Sequence, residues 1–333
     1  MLLLVTVGLI SLALTAALRR YALARSLLDI PNARSSHALP TPRGGGLAIV
    51  ISFLLALPLL VWAGLLAVHA FWALLGAGAL VAAVGFLDDH RHIAARWRLL
   101  AHFAAAAWTL VCIGGAPPIM LAGWALAPSW LATALVAVYL VWLLNLYNFM
   151  DGIDGIASVE AICVCVGGAL LYVLVGQSEL AAVPLALAAA VAGFLYWNFP
   201  PARIFMGDAG SGFLGVVLGI LSLLAAVQVP QLFWSWLILL GVFVVDATTT
   251  LLRRLLRGEK VYEAHRSHAY QHAARHYGRH LTVTLAVAAI NLGWLLPLAL
   301  LVSLGWLSGW LGLILAYAPL SFLALRFRAG SAE

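Results

Sequence analysis

The chain is 333 residues long, 65% hydrophobic and only 9% charged, with 18 Lys and Arg against 12 Asp and Glu. So little charge over such a length excludes a soluble globular domain or a disordered chain, and 3 cysteines are too few for a secreted disulfide scaffold. What remains is an integral membrane protein whose formal net charge of +6 suits anionic headgroups and phosphorylated partners.

A helix crosses a hydrocarbon core of about 30 Å with about 20 apolar residues. Stretches of that kind run over 2–18, 46–66, 68–87, 99–116, 128–147, 156–176, 180–197, 212–228, 231–252, 281–303 and 305–325. The expectation is an all-α integral membrane protein of about 11 transmembrane helices, with 1–333 forming a single polytopic domain. The first stretch has no basic residue before it and Arg19 and Arg20 after it, so it reads as a retained helix and not a cleaved signal. All 18 Lys and Arg residues lie in loops that follow odd-numbered stretches or in the tail after the last one. The positive-inside rule then puts the N-terminus outside and the C-terminus in the cytoplasm, with Glu179 and His69 assigned to the outer side. Cys112, Cys163 and Cys165 all fall within apolar stretches and are expected as packed thiols.

The inner loops carry the chemistry. RSSHALPTPRGGG, between the first two stretches, combines Arg34, His37 and Arg43 with three glycines; it reads equally as a phosphate-closing loop and as a basic juxtamembrane segment. Asp88 and Asp89 follow the third stretch, at the depth where the phosphate of a lipid lies while its hydrocarbon stays in the bilayer. Acids belong electrostatically at helix N-termini, so a pair at a C-terminal end asks for a functional reason.

Asn145, Asn148, Asp151 and Asp154 recur every third residue, which on a helix makes a precessing polar seam leaving the bilayer, with Gly152 and Gly155 beside the two acids. Asp208 sits in GDAGSG just before the eighth stretch, where unpaired helix N-terminal N–H groups are expected to cradle phosphate oxygens. An acid in such a turn repels phosphate unless a divalent cation lies between, and the hard oxygens of Asp208 and Asn148 suit Mg2+. Deeper in that stretch, Gly215 and Gly219 form a GxxxG pattern that reads as helix packing.

Asp246 lies about two turns inside the ninth stretch, either functional or paired with Arg253 or Arg254. His268, His272, His276 and His280 repeat at i, i+4, one stripe if the segment is helical. Such spacing can bind zinc, but HExxH is missing and no acid lies in the stripe. His265, Arg266, Ser267 and His268 suit the holding of phosphate or sugar oxygens.

Taken together, FLDD, NFMDGIDG, FPPARIFMGDAGSG and EAHRSHAYQH resemble the signature set of the polyprenyl-phosphate N-acetylhexosamine-1-phosphate transferases, in order and over most of the chain. HRSHAYQH differs from the HHH-type loop of the peptidoglycan translocases and is similar to the enzymes that initiate O-antigen synthesis. The resemblance implies transfer of a sugar 1-phosphate from a UDP-N-acetylhexosamine to polyprenyl (undecaprenyl) phosphate, with release of UMP and with Mg2+ as cofactor. It implies a bacterial inner membrane and an active site formed by cytoplasmic loops; the expected partners are these two substrates and the bilayer, with a homodimer left open and no nucleic acid.

Carried over position by position, Asp88 and Asp89 match the catalytic acidic pair near the lipid phosphate, and Asp208 and Asn148 the metal ligands. Asp151 and Asp154, with Asn145 in the same seam, match the nucleotide side, and His265, Arg266 and His268 the sugar-recognition loop. Where some relatives have Lys this chain has His92, leaving Arg96 or Arg98 to supply a fixed charge. A transporter is the rival from another class, but apart from Asp246 the loop reading finds no ionisable path toward the outer side. A lipid-pyrophosphate phosphatase would need Lys- and Arg-rich phosphate motifs, and the only Lys is Lys260.

Overall fold

The computed structural model describes residues 1–31, 37, 39–91, 93–121, 124–126, 129–260 and 265–331. Arg34, His92, Glu263 and Ala264, considered above, lie outside the described residues.

In lipid, backbone N–H and C=O groups find no water, so the apolar runs close their hydrogen bonds within helices. They do so as α1 (Leu2–Ala24), α2 (Leu47–Trp62), α3 (Val68–His90), α4 (Ala95–Ile113), α5 (Trp130–Met150), α6 (Ile156–Leu174) and α7 (Ala182–Asn198). After these come α8 (Asp208–Gln228), α9 (Gln231–Leu239), α10 (Gly241–Leu256), α11 (Ala269–Tyr277), α12 (His280–Ile290), α13 (Leu296–Ser303) and α14 (Gly309–Arg326). Two short hairpins, β1 (Leu28–Asp29) with β2 (Thr41–Pro42) and β3 (Ile119–Leu121) with β4 (Trp124–Leu126), bridge loops.

Each of the 11 apolar stretches falls on helix, but the count by length and hydropathy is lower. Among the described residues 8 helical segments are long and apolar enough to span, or 9 if α9 and α10, bent by 72° at their junction, form one broken span. The stretches that fall short are α2, with 16 residues, and α4, which opens on Arg96 and Arg98.

Helix α8 is central, with 89% of its apolar window buried, and packs against α3 and α5. Gly215 and Gly219 permit the α5 contact, as the packing reading of GxxxG requires. A Cβ at position 215 would lie 2.7 Å from the carbonyl oxygen of Leu143 and from the Cα of Leu144. Those are backbone atoms with no room to retreat. Gly215→Val is therefore expected to cost about 1–3 kcal/mol through overpacking and to lower the thermal unfolding midpoint in detergent. An unchanged midpoint would contradict this packing account.

All three cysteines are free thiols. One buried acid lies outside every loop motif: Glu160, fully buried in the second turn of α6, accepts a 2.5 Å hydrogen bond from the Asn291 amide at the start of a π-helical turn (Asn291–Leu295). With Asp246 it makes a second ionisable group inside the bundle.

Candidate active site

The site begins where α3 meets the start of α8. Gly85 has no side chain, and a Cβ there would stand 2.6 Å from the Asp208 carbonyl oxygen, so the helices approach closely enough for the acidic pair to reach the GDAGSG turn. Gly207, at φ +77°, supplies the left-handed bend into α8.

The carboxylate of Asp89 then caps α8 from outside it, accepting the N–H groups of Asp208 at 3.3 Å and Ala209 at 3.4 Å. The next two N–H groups, of Gly210 and Ser211, donate to the Gly207 carbonyl at 3.1 Å. The N–H groups of Asp208, Ala209 and Gly210 are therefore taken, Ser211 makes the first bond inside the helix, and the expectation that these groups cradle phosphate is corrected. A carboxylate from α3 satisfies the helix end in place of a ligand. The turn instead presents the Asp208 side chain.

Arg98, on the first turn of α4, bridges two acids: it donates to the Asp88 carboxylate and stands 3.8 Å from that of Asp208. Asp88 also accepts the Ile93 N–H at 2.7 Å. Of the two arginines considered for a fixed positive charge, Arg98 supplies it, whereas Arg96 lies over the ring of Trp97.

The seam is helical only in its first half. Asn145 and Asn148 lie on α5, which ends at Met150; Asp151 follows as its cap and Asp154 lies in the next turn. Asn145 donates to the Val141 carbonyl at 2.7 Å and stands 3.4 Å from His102 of α4. The Asn148 side-chain oxygen accepts from Ser211 of α8 at 3.3 Å. Asp154 accepts the Ala202 N–H at 3.0 Å and pairs with His280 at 3.2 Å. Desolvation, reinforced by the carboxylates of Asp208, Asp89 and Asp154, raises the Asp151 carboxyl well above the usual carboxylate range. A site that crowds acids in this way is stabilised by a cation.

The RGGG loop packs onto this centre. Gly45 and Gly46 donate N–H groups to Phe205 and Met206 at 2.9 Å, Arg43 donates to the Asp89 carbonyl, and His37 lies edge-on to Phe205.

The histidines do not form one stripe. His268 precedes α11 as its cap, Gly278 ends that helix, and His280 opens α12. His268 is buried and stacks with His265, at 4.8 Å between ring centres, while His276 is exposed. Burial, together with His268 and Arg254 nearby, pushes His265 down to about 3, so its imidazole is neutral at physiological pH. Among the described residues Asp246 pairs with His268, at 3.3 Å, while Arg253 donates to the Ala329 carbonyl and Arg254 to Glu259.

Two cavities meet here. One, of about 380 Å³, is lined by Arg43, Asp89, Asp151, Asp154, Phe205 and His280 among others. The second, of about 420 Å³, takes Asp88, Arg98, Asn145, His265 and His268, and has an apolar wall of Val81, Val84, Leu99, Leu144 and Phe149. Asn148, Gly152, Asp208 and Gln271 line both. Of the described residues expected to hold substrate, Arg266 and Ser267 line neither. His280 and His102 join the site without belonging to any motif assigned to it, and Gln271 joins it from within EAHRSHAYQH without having been singled out. His280 carries a signal in its spacing from the other histidines, but its partner Asp154 is 126 residues away.

Among the described residues no group of three or more His, Cys, Asp or Glu side chains is arranged to hold a metal. Mg2+ keeps several waters and is held by one or two protein oxygens plus substrate phosphates. Asp208 and Asn148, both at the cavity junction, are oxygen donors of that type.

Residues 71–226 match the family described as glycosyl transferase family 4. The chain is 28% identical over 322 residues to the probable undecaprenyl-phosphate N-acetylglucosaminyl 1-phosphate transferase of Bacillus subtilis, covering 94% of this chain and 87% of that one. It is 30% identical over 282 residues to the decaprenyl-phosphate N-acetylglucosaminephosphotransferase of Mycolicibacterium smegmatis, 74% of this chain and 68% of the relative. The phospho-N-acetylmuramoyl-pentapeptide-transferase of Chlamydia muridarum is 31% identical over 242 residues, 64% and 68% of the two chains. This chain belongs to glycosyl transferase family 4, in the family of polyprenyl-phosphate N-acetylhexosamine-1-phosphate transferases.

Proposed function

We propose that the protein transfers N-acetylhexosamine 1-phosphate from a UDP-N-acetylhexosamine to undecaprenyl phosphate at the inner face of a bacterial cytoplasmic membrane, initiating an O-antigen-like envelope glycan. The observation that carries this reading is the junction of two unlike cavities at Asn148 and Asp208. The acidic one, with the Phe205 ring and the Arg43 guanidinium, suits a nucleotide; the one with the apolar wall suits a phosphate whose hydrocarbon continues into lipid.

In the reaction a phosphate oxygen of the lipid attacks the β-phosphorus of the donor, and the bond to the bridging oxygen breaks. That oxygen leaves on UMP, and a lipid-linked pyrophosphate sugar remains. Two anions must come together, so charge repulsion is the main obstacle. Asp208 and Asn148 would hold Mg2+, which when bound neutralises phosphate oxygens and polarises the scissile bond. Arg98 lowers the same repulsion from the protein's side and holds Asp88 beside the acceptor's position. Proton removal is the smaller obstacle, since a phosphate monoester has a second pKa of about 6 and much of the acceptor is already dianionic at neutral pH. Asp88 takes the remainder. Asp89 acts by holding the start of α8 and hence Asp208 in place.

The test is purified protein in lipid nanodiscs with undecaprenyl phosphate, Mg2+ and a panel of UDP-sugars that includes UDP-N-acetylmuramoyl-pentapeptide, with UMP and lipid product both measured. UMP release matched by lipid product for an N-acetylhexosamine donor is expected. Release of inorganic phosphate without UMP would sink the reading, and turnover of the pentapeptide donor alone would move the enzyme to cell-wall synthesis.

A further inference from the structure

We propose that Asp246 is a positioning residue that holds the histidine segment against the active centre. It sits on α10, past the 72° break, with 6% of its surface exposed. Both of its oxygens are used. One accepts the Ala269 N–H at 2.9 Å, the Thr250 hydroxyl at 3.1 Å and the His268 Nδ1 at 3.3 Å; the other accepts the Tyr270 N–H at 2.9 Å.

The carboxylate thus does for α11 what Asp89 does for α8, capping a helix N-terminus from another helix, where negative charge is favoured. It also orients His268, whose Nδ1 lies 3.3 Å from the carboxylate while the ring lines the second cavity. From there the restraint passes to α5. The Tyr270 hydroxyl, one residue into the capped turn, donates to the Phe149 carbonyl at 3.0 Å, next to Asn148, and Gln271 reaches both cavities. Gly152 leaves the space for this contact, since a Cβ there would lie 2.1 Å from the Tyr270 hydroxyl oxygen.

This inference rests on the reading of His268 as a substrate-side residue, so the test separates the two. Initial rates of UMP release are measured with UDP-N-acetylglucosamine and undecaprenyl phosphate for Asp246→Asn, His268→Ala and the double variant, with kcat and KM resolved for each substrate. An amide offers one acceptor where two N–H groups require two, so Asp246→Asn is expected to lose at least 30-fold in kcat/KM. In the His268→Ala background the same change is expected to cost less than 3-fold, because residues acting through one another are not additive. Additive losses overturn the proposal while leaving His268 in its role. A His268→Ala enzyme with unchanged constants overturns both. Should Asp246→Asn fail to fold, Thr250→Val, which removes one hydrogen bond from the carboxylate, replaces it in the cycle, with a loss of 3- to 10-fold expected to disappear in the His268→Ala background.

Discussion

Asp208→Asn is expected to reduce Mg2+-dependent UMP release by about 10²–10⁴-fold, the equivalent of the several kcal/mol that a bound cation contributes to a phosphoryl transition state. The substitution is nearly isosteric. The contacts that hold the turn, from the backbone N–H groups of Asp208 and Ala209 to Asp89, do not involve the replaced oxygen, so the start of α8 is expected to keep its place. What is lost is a carboxylate at the junction of the cavities and the partner 3.8 Å from Arg98. A thermal melt separates loss of the ion from loss of the fold: the variant should unfold near the wild-type midpoint, and added Mg2+ is expected to raise the midpoint of the wild type but not that of the variant. Full activity at ordinary Mg2+ would remove Asp208 from the metal role.

The second large effect is expected at Arg98. Its guanidinium lies between Asp88, whose side chain is 6% exposed, and Asp208, and is itself about a third exposed. Removing one member of a fully buried pair costs about 3–5 kcal/mol because a bare charge is left inside. Solvent reaches Arg98, so a stability loss of about 1–2 kcal/mol is the better expectation for Arg98→Met. The effect on rate should be larger, about 10²-fold in kcat/KM for the lipid acceptor, because Asp88 and Asp208 would then both face the incoming phosphate without a compensating charge. Arg98→Lys restores the charge on a differently shaped and more strongly hydrated group, and should recover only part of the loss. Arg98→Met acting within twofold of wild type would show that the bridge is structural.

Much of this centre is legible in the sequence, because each loop carries its residues within a short stretch. Asp88 and Asp89, Asn148, Asp151 and Asp208 are all found where their local patterns put them, around one pair of cavities. Periodicity misleads where it is extended past a helix end. The seam's spacing of three continues through Asp154 although the helix stops at Met150, and the histidine spacing of four runs on although Gly278 divides the segment. The phosphate-cradling turn fails for another reason. Whether a helix N-terminus is open depends on what packs against it, and here the occupant is Asp89, 119 residues earlier in the chain.

From its order of residues alone the chain determined its membrane character, its helical class and the chemical type of each loop, since hydropathy and short motifs depend on near neighbours. Tertiary structure alone decided which charges meet: Arg98 with Asp88 and Asp208, His280 with Asp154, Asp246 with the start of α11. It also decided that α9 and α10 bend at their junction and that Glu160 finds Asn291. The physical reason is range. A buried charge is stabilised by whatever partner lies within a few ångströms, and in a bundle that partner comes from another helix, at a sequence distance no local pattern records.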